Sequence, residues 1–207
     1  MVNTEQKIFE AARKVFLKKG LTGARMQEIA DEAGINKALL HYYFRSKDKL
    51  FYAIFQDAFK TMIPFVSDLF NSDIPLEKKI TRLSEKYFDN LHANRYMPLF
   101  VLNEIQQNPD KVSMLFNLHH IINIEKLTVQ IKAEFGLINI DENTVRQAFI
   151  NFLSNMIFPF IGRPIIQYNL KMTDEEYENF LKERKTLIPL IFISTIKQMN
   201  EYATHEN

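Results

Sequence analysis

The stretch Met26-Gln27-Glu28-Ile29-Ala30-Asp31-Glu32-Ala33-Gly34-Ile35-Asn36-Lys37-Ala38-Leu39-Leu40-His41-Tyr42-Tyr43 decides how this chain folds. Two short helical patterns, Met26 to Ala33 and Lys37 to Tyr43, are joined by Gly34-Ile35-Asn36, a glycine-containing turn of helix-turn-helix length. Ala30 is small, so the second helix can approach closely, and Gly34 permits the left-handed backbone that ends the first. Ile29, Ile35 and Leu40 are placed to pack inside the angle, and Asn36 is a good N-cap for the second helix. The first turn of that helix offers backbone N–H groups and a positive dipole end to a phosphate. Lys37, His41, Tyr42 and Tyr43 add donors and aromatic edges, and Arg45, Lys47 and Lys49 follow.

Outward from this unit the periodicity stays helical. Ile8, Ala11, Ala12, Val15 and Phe16 recur at helical spacing, with Gly20 as the stop. Ser46 caps a long helix that Pro64 is expected to kink or divide before it ends near Phe70. The break Asn71-Ser72-Asp73-Ile74-Pro75 opens a helix to about Ala93. Met97 to Asn108 and Asp110 to Phe135 follow, ended by Pro109 and Gly136. Asp141 starts a helix reaching about Phe160, before Gly162-Arg163-Pro164. Thr173-Asp174-Glu175-Glu176 reads as a capping box opening a last helix to about Met199, with a bend expected at Pro189. No segment alternates with period two and no internal repeat occurs, so the fold class is all-α.

Composition narrows the function. The chain has 207 residues, 46% of them hydrophobic and 25% charged, ordinary for a chain that fills a real core. It has no cysteine, which excludes disulfide scaffolds, thiolate metal sites and cysteine nucleophiles. Glu5, Lys7 and Glu10 interrupt the start, so no signal peptide is expected. The longest charge-free run, Gln147 to Gly162, has 16 residues and holds four polar side chains, too short and polar to span a bilayer. A soluble, cytoplasmic protein without a membrane partner is expected. Charge is uneven: residues 1–50 carry ten Lys and Arg against six acids, and the remaining 157 carry sixteen against nineteen. A basic head on a mildly acidic body hints at a polyanion-binding module.

The N-terminal run Ile8…Ala11-Ala12…Val15-Phe16…Gly20, then Ile29-Ala30-Asp31-Glu32-Ala33-Gly34-Ile35-Asn36-Lys37-Ala38 and Leu40-His41-Tyr42-Tyr43-Phe44-Arg45-Ser46-Lys47-Asp48-Lys49-Leu50, resembles the TetR family of transcriptional regulators. The motif covers about residues 8–55. The chain departs from it where Ala24-Arg25-Met26 replaces the usual Ser or Thr cap, and at His41, where the family has tyrosine. The resemblance implies a DNA-binding domain over 1–62, with the helix-turn-helix at about 25–44, and an effector-binding and dimerisation domain over 63–207. It further implies that Asn36, Lys37, Ala38, His41, Tyr42 and Tyr43 face the groove, with Arg25, Gln27 and Lys47 on the DNA backbone. Lys37 is placed to reach a guanine edge, and Tyr43 has packing in the head as its alternative. A dimer of this kind reads a near-palindromic operator, with half-sites about one helical turn apart or a little more.

Two late segments, Gln147 to Gly162 and Thr186 to Ile196, carry no charge. A helix apolar on nearly every face is buried on every face, and a chain this short hardly buries two, so a second copy is the expected cover. The homodimer therefore uses helices at about 141–160 and 174–199. The body is rich in Phe and Met, mostly core. The resemblance puts an effector pocket among helices 75–93, 97–108, 110–135 and 141–160. Polar groups on otherwise apolar stretches there, Tyr87, Asn103, His120, Asn151 and Asn155, are the candidates to orient a small, largely apolar effector. No metal is expected: His119 and His120 are adjacent, point about 100° apart on a helix and lack an i, i+4 partner. No G-x-S-x-G, Walker loop or G-x-G-x-x-G occurs, so neither an enzyme nor a cofactor is expected. The expected function is a repressor released from DNA by its effector; the alternative is an all-α lipid- or protein-binding module whose helix-turn-helix is only structural.

Overall fold

A computed structural model describes residues 3–93, 97–107 and 122–205, and every regular element among them is helical. The helices are α1 (Thr4–Gly23), α2 (Met26–Ala33), α3 (Lys37–Tyr43), α4 (Lys47–Phe59), α5 (Met62–Asn71), α6 (Leu76–Ala93), α7 (Met97–Gln107), α8 (Ile124–Phe135), α9 (Glu142–Ile161), α10 (Arg163–Leu170) and α11 (Asp174–His205). The chain divides into two compact units. One is Met1–Ile63 with Leu99–Phe116, the other Pro64–Pro98 with Asn117–Asn207.

In the first unit α1 packs on α2 and α4, and α2 on α3. Ile8, Ala11, Ala12 and Phe16 from α1 meet Ile29 and Ala30 from α2, Leu40 from α3, and Leu50 and Ile54 from α4 in one buried core. Val15 and Ile35 are only half-buried. Gly20 breaks the helical backbone of α1 (φ 67°, ψ 175°), as its sequence position suggests, and a further turn follows it.

The second unit is built on α9, α11 and α6, with α8 packed against α9. Phe152 and Met156 of α9, Tyr177, Ile188, Phe192 and Ile196 of α11, and Ile80 and Leu83 of α6 form its centre. The cap residues expected from spacing do cap their helices. Asp141 Oδ1 accepts the Thr144 N–H at 2.8 Å, and Thr173 and Glu176 exchange hydrogen bonds as a capping box.

Four elements differ from the sequence expectation. The long helix after Ser46 divides at Lys60–Thr61 rather than at Pro64, which falls in the first turn of α5, where a missing N–H costs nothing. The expected helix 110–135 is not continuous: residues 122–123 are non-helical and Asn123 caps α8, its Oδ1 accepting from Lys126 N. Its earlier part lies outside the described residues. After Gly162 a separate helix, α10, occupies a stretch read as a break, with Pro164 in its opening turn. The last helix runs past Met199 to His205 without interruption at Pro189.

That continuity has a local cause. A helical proline leaves the carbonyl four residues earlier without its N–H partner. For Pro189 that carbonyl belongs to Lys185, and the fully buried Ser84 of α6 donates its hydroxyl to it at 2.8 Å. Pro159 in α9 orphans the Asn155 carbonyl in the same way, and Arg184 Nη2 of α11 donates to that oxygen at 3.0 Å. The buried Tyr177 hydroxyl donates to the carbonyl of Pro159 itself.

Ser84→Ala strands a buried acceptor and should lower the unfolding free energy by about 1–3 kcal/mol in a urea titration. Adding Pro189→Ala restores a backbone N–H for the same carbonyl, so the double variant should recover most of the loss. If the two effects simply add, the assignment of Ser84 to the proline gap is wrong.

Candidate nucleic-acid interface

The helix-turn-helix begins without the usual cap. Arg25 sits at the N-cap position with extended backbone (φ −118°, ψ 140°), and a guanidinium carries no acceptor for the first turn. Glu28 supplies the reciprocal half of the motif, its carboxylate accepting the Arg25 N–H at 3.4 Å. Lys19 Nζ pairs with the same carboxylate at 2.8 Å, and this contact foremost holds the Glu28 carboxyl below its usual range. The departure from Ser or Thr is thus absorbed by an acid three residues on, tied back to α1.

Gly34 closes α2 in the left-handed region (φ 66°, ψ 32°). The Ile35 N–H returns to the Ala30 carbonyl at 3.0 Å and the Gly34 N–H to Asp31 at 3.1 Å, the paired bonds of a Schellman ending. Asn36 then caps α3, its Oδ1 accepting the Leu39 N–H at 2.7 Å. That bond leaves both Nδ2 donors and one lone pair of Oδ1 for a groove.

Leu40 is the buried residue of α3. Successive residues on a helix are about 100° apart, so the outward face centres on Ala38 and Tyr42. Lys37 and His41 fall on one edge of that face, Leu39 and Tyr43 on the other. Tyr42 is 82% exposed and Tyr43 only 39%, and their rings meet edge to face with centroids 5.6 Å apart. Phe44, half-buried, packs on Phe9 of α1. Lys37, Ala38, His41 and Tyr42 are therefore presented together, while Tyr43 is shared between face and packing.

Of the three residues assigned to the DNA backbone, Arg25 is exposed. Gln27 is exposed as well, but its Nε2 donates to Asp31 Oδ1 at 2.8 Å. Lys47 is used structurally: half-buried, its ammonium donates to the carbonyls of Thr22 at 3.2 Å and Ala24 at 3.0 Å, holding the end of α1. Nothing in the local sequence signals that use, because the carbonyls lie more than twenty residues away. Further head cations are neutralised in ion pairs, Arg13 with Asp57 at 2.8 Å and Lys14 with Glu32 at 3.0 Å.

The residues expected to orient an effector are divided between the two units. Asn103 belongs to the first unit, whereas Tyr87, Asn151 and Asn155 belong to the second; His120 lies outside the described residues. Tyr87 is half-buried against the core, and burial pushes its phenol up. Asn151 and Asn155 turn away from the core face of α9. They line an open groove of about 460 Å³ with Ser154, Phe158, Phe180 and Arg184, and Arg184 Nη2 is bonded to Asn155 Oδ1 at 3.2 Å. The uncharged middle of α9 is thus not apolar all round, as its sequence suggests. Its outer stripe is Gln147, Ile150, Asn151, Ser154 and Phe158, and α11 adds Thr186, Leu187, Leu190 and Ser194. Phe158 and Leu190 are 57% and 60% exposed. Sequence periodicity does not find this stripe because small uncharged polar residues hide it. Among the described residues no cluster of His, Asp and Glu could hold a metal ion, and no single helix is long and apolar enough to cross a membrane.

A compact head whose second short helix stands outward from a glycine turn is of the helix-turn-helix class. Residues 8–54 match the family model described as bacterial regulatory proteins, tetR family. The chain is similar to the transcriptional repressor NicS of Pseudomonas putida, 30% identical over 125 residues, covering 59% of this chain and 52% of NicS. It therefore spans about half the length of that relative. It is also similar to the probable transcriptional regulator YttP of Bacillus subtilis, 25% identical over 199 residues, covering 92% of this chain and 95% of YttP. In fold it is similar to the fatty acid degradation regulator FadR of Bacillus halodurans, with a TM-score of 0.63, 17% identity and coverage of 91% and 95%. The head of the chain is thus similar to the DNA-binding domain of TetR-family transcriptional regulators, and the similarity to YttP extends along most of its length.

Lys47→Met should lower the unfolding free energy of the chain by about 1–3 kcal/mol, because two carbonyls lose a charged donor. Arg25→Met should leave it unchanged. A Lys47→Met chain as stable as its parent but weaker on DNA would return Lys47 to the phosphate contacts.

Proposed function

We propose that this protein is a cytoplasmic, homodimeric repressor that binds a near-palindromic operator through α3 and leaves it when a small, largely apolar effector binds. Residues 1–62 form the DNA-binding domain and 63–207 the effector-binding and dimerisation domain. The observation that carries the reading is the outward face of α3. Lys37, Ala38, His41 and Tyr42 are exposed together on a short helix whose opposite side is locked by Leu40. Lys37 reaches a guanine edge or a phosphate, and Arg25 and Gln27 supply backbone contacts.

Dimerisation is supported by the uncharged outer stripe of α9 and α11. A solvated helix face normally carries charges, and this one has none from Gln147 to Phe158 or from Thr186 to Ser194. A second copy related by a two-fold axis covers such a surface with its own equivalent. Two heads then meet half-sites about 34–36 Å apart or slightly more. Repression follows NicS, which is named as a repressor. Release follows if the effector binds a splayed dimer better than the operator-competent one, by several kcal/mol. Tyr87 keeps its assignment as an effector-orienting group, whereas Asn151 and Asn155 fit the dimer face.

Selection from random duplex DNA should return an inverted repeat, and sedimentation should give two chains per particle. Lys37→Ala with His41→Ala should abolish retention of that duplex with helicity intact. Phe158→Asp with Leu190→Asp should give single chains whose operator affinity falls about ten-fold or more. A parent that sediments as one chain and retards no duplex at low salt overturns the reading in favour of a lipid- or protein-binding module.

A further inference from the structure

The outward face of α3 is chemically two-sided, and one side includes a leucine that carries no polar group. Lys37 and His41 occupy one edge; Leu39 and Tyr43 occupy the other, with Tyr42 on their side of the midline. Leu39 is a large apolar side chain, 37% exposed, on a seven-residue helix whose packing is met by Leu40. Its backbone is fixed at the helix start, since its N–H is the donor to the Asn36 cap at 2.7 Å. Tyr42 and Tyr43 stand edge to face beside it. A leucine offers neither donor nor acceptor, so it gains nothing from a phosphate and forfeits hydration where a polar base edge faces it. The apolar group on the major-groove edges of the four base pairs is the C5-methyl of thymine.

We propose that Leu39 is a specificity-determining residue that packs on a thymine methyl in each half-site, so that the apolar edge of α3 selects an A·T pair while the Lys37 edge meets a polar position. This rests on the operator reading above. The side chain acts through one contact of fixed reach, because the cap bond that starts α3 also sets the Leu39 Cα. Leu39 therefore disfavours cytosine, which lacks the C5-methyl and presents an amino group where thymine has its O4.

The test needs no change to the protein at first. In the duplex selected by the parent chain, each thymine of one half-site is replaced in turn by deoxyuridine, which removes only the methyl group. One position should weaken binding by about four-fold, the value of one buried methyl. Leu39→Ala should bind the thymine and deoxyuridine duplexes equally, with helicity unchanged, and a repeat selection with it should relax that position. If no position responds to the missing methyl, or if Leu39→Ala keeps the parent's discrimination, the assignment is overturned while operator binding stands. A parent that retards no duplex overturns the operator reading itself.

Discussion

The attitude of α3 depends on the backbone of Gly34. At φ 66° and ψ 32° it sits in a region that a residue with a β-carbon enters only under strain, and no atom lies close enough to obstruct a side chain there. The requirement for glycine is thus purely conformational. From that one residue the chain turns back through the Ile35–Ala30 and Gly34–Asp31 bonds, and Asn36 restarts the helix two residues on. Leu40 can then reach the core, which fixes the rotation of α3 about its axis and so chooses which residues face outward. The presentation of Lys37, Ala38, His41 and Tyr42 follows from an angle set before any of them occurs in the chain.

A comparable economy governs the second unit. Its two longest helices each contain a proline, which ordinarily bends or breaks a helix through the carbonyl it leaves without a partner. In both cases a side chain from a neighbouring helix supplies the missing donor, Ser84 for Lys185 and Arg184 for Asn155. The prolines therefore become cross-links between helices, because the orphaned oxygen is best satisfied only when α6, α9 and α11 are in register. Arg184 at the groove is consequently a structural cation, stacked on Phe180 and bonded to Asn155, and the groove beside it is part of a face between helices.

These cases explain what the sequence makes legible. Caps and stops act within four residues, so Gly34, Asn36, Ser46, Asp141 and the Thr173–Glu176 box can all be read from spacing alone. Rotation of α3 is legible for the same reason, once Leu40 is recognised as its buried residue. Rescue of Pro189 by Ser84 and the use of Lys47 to hold Thr22 and Ala24 join residues far apart in the chain, and no periodicity carries that information. Gly162-Arg163-Pro164 reads as an end, yet the same glycine and proline suit the start of α10, since proline is tolerated in a first turn. Asn151 and Asn155 illustrate the remaining ambiguity. A polar residue on an apolar helix is inward and paired, or outward at a face covered by something else, and only the packing of α11 distinguishes the two.

The ion pairs of the head supply a physical reason for the proposed two-chain arrangement. Arg13, Lys14 and Lys19 are matched by acids of the same unit, and Lys47 is bonded to carbonyls. Exposed cations in and beside the helix-turn-helix segment include Arg25, Lys37, Arg45 and Lys49. Four phosphate contacts lose about a hundred-fold in affinity between 50 and 200 mM salt, and eight lose about ten-thousand-fold, so the affinity available at low salt scales steeply with the number engaged. A single head thus has a small electrostatic reserve and a short reading face. In the proposed dimer, linking two heads through the uncharged rods of α9 and α11 makes the second contact intramolecular, multiplying both the phosphate count and the sequence read. A body used in this way contributes to recognition without touching a base, by fixing the distance between two faces that are each too small to suffice.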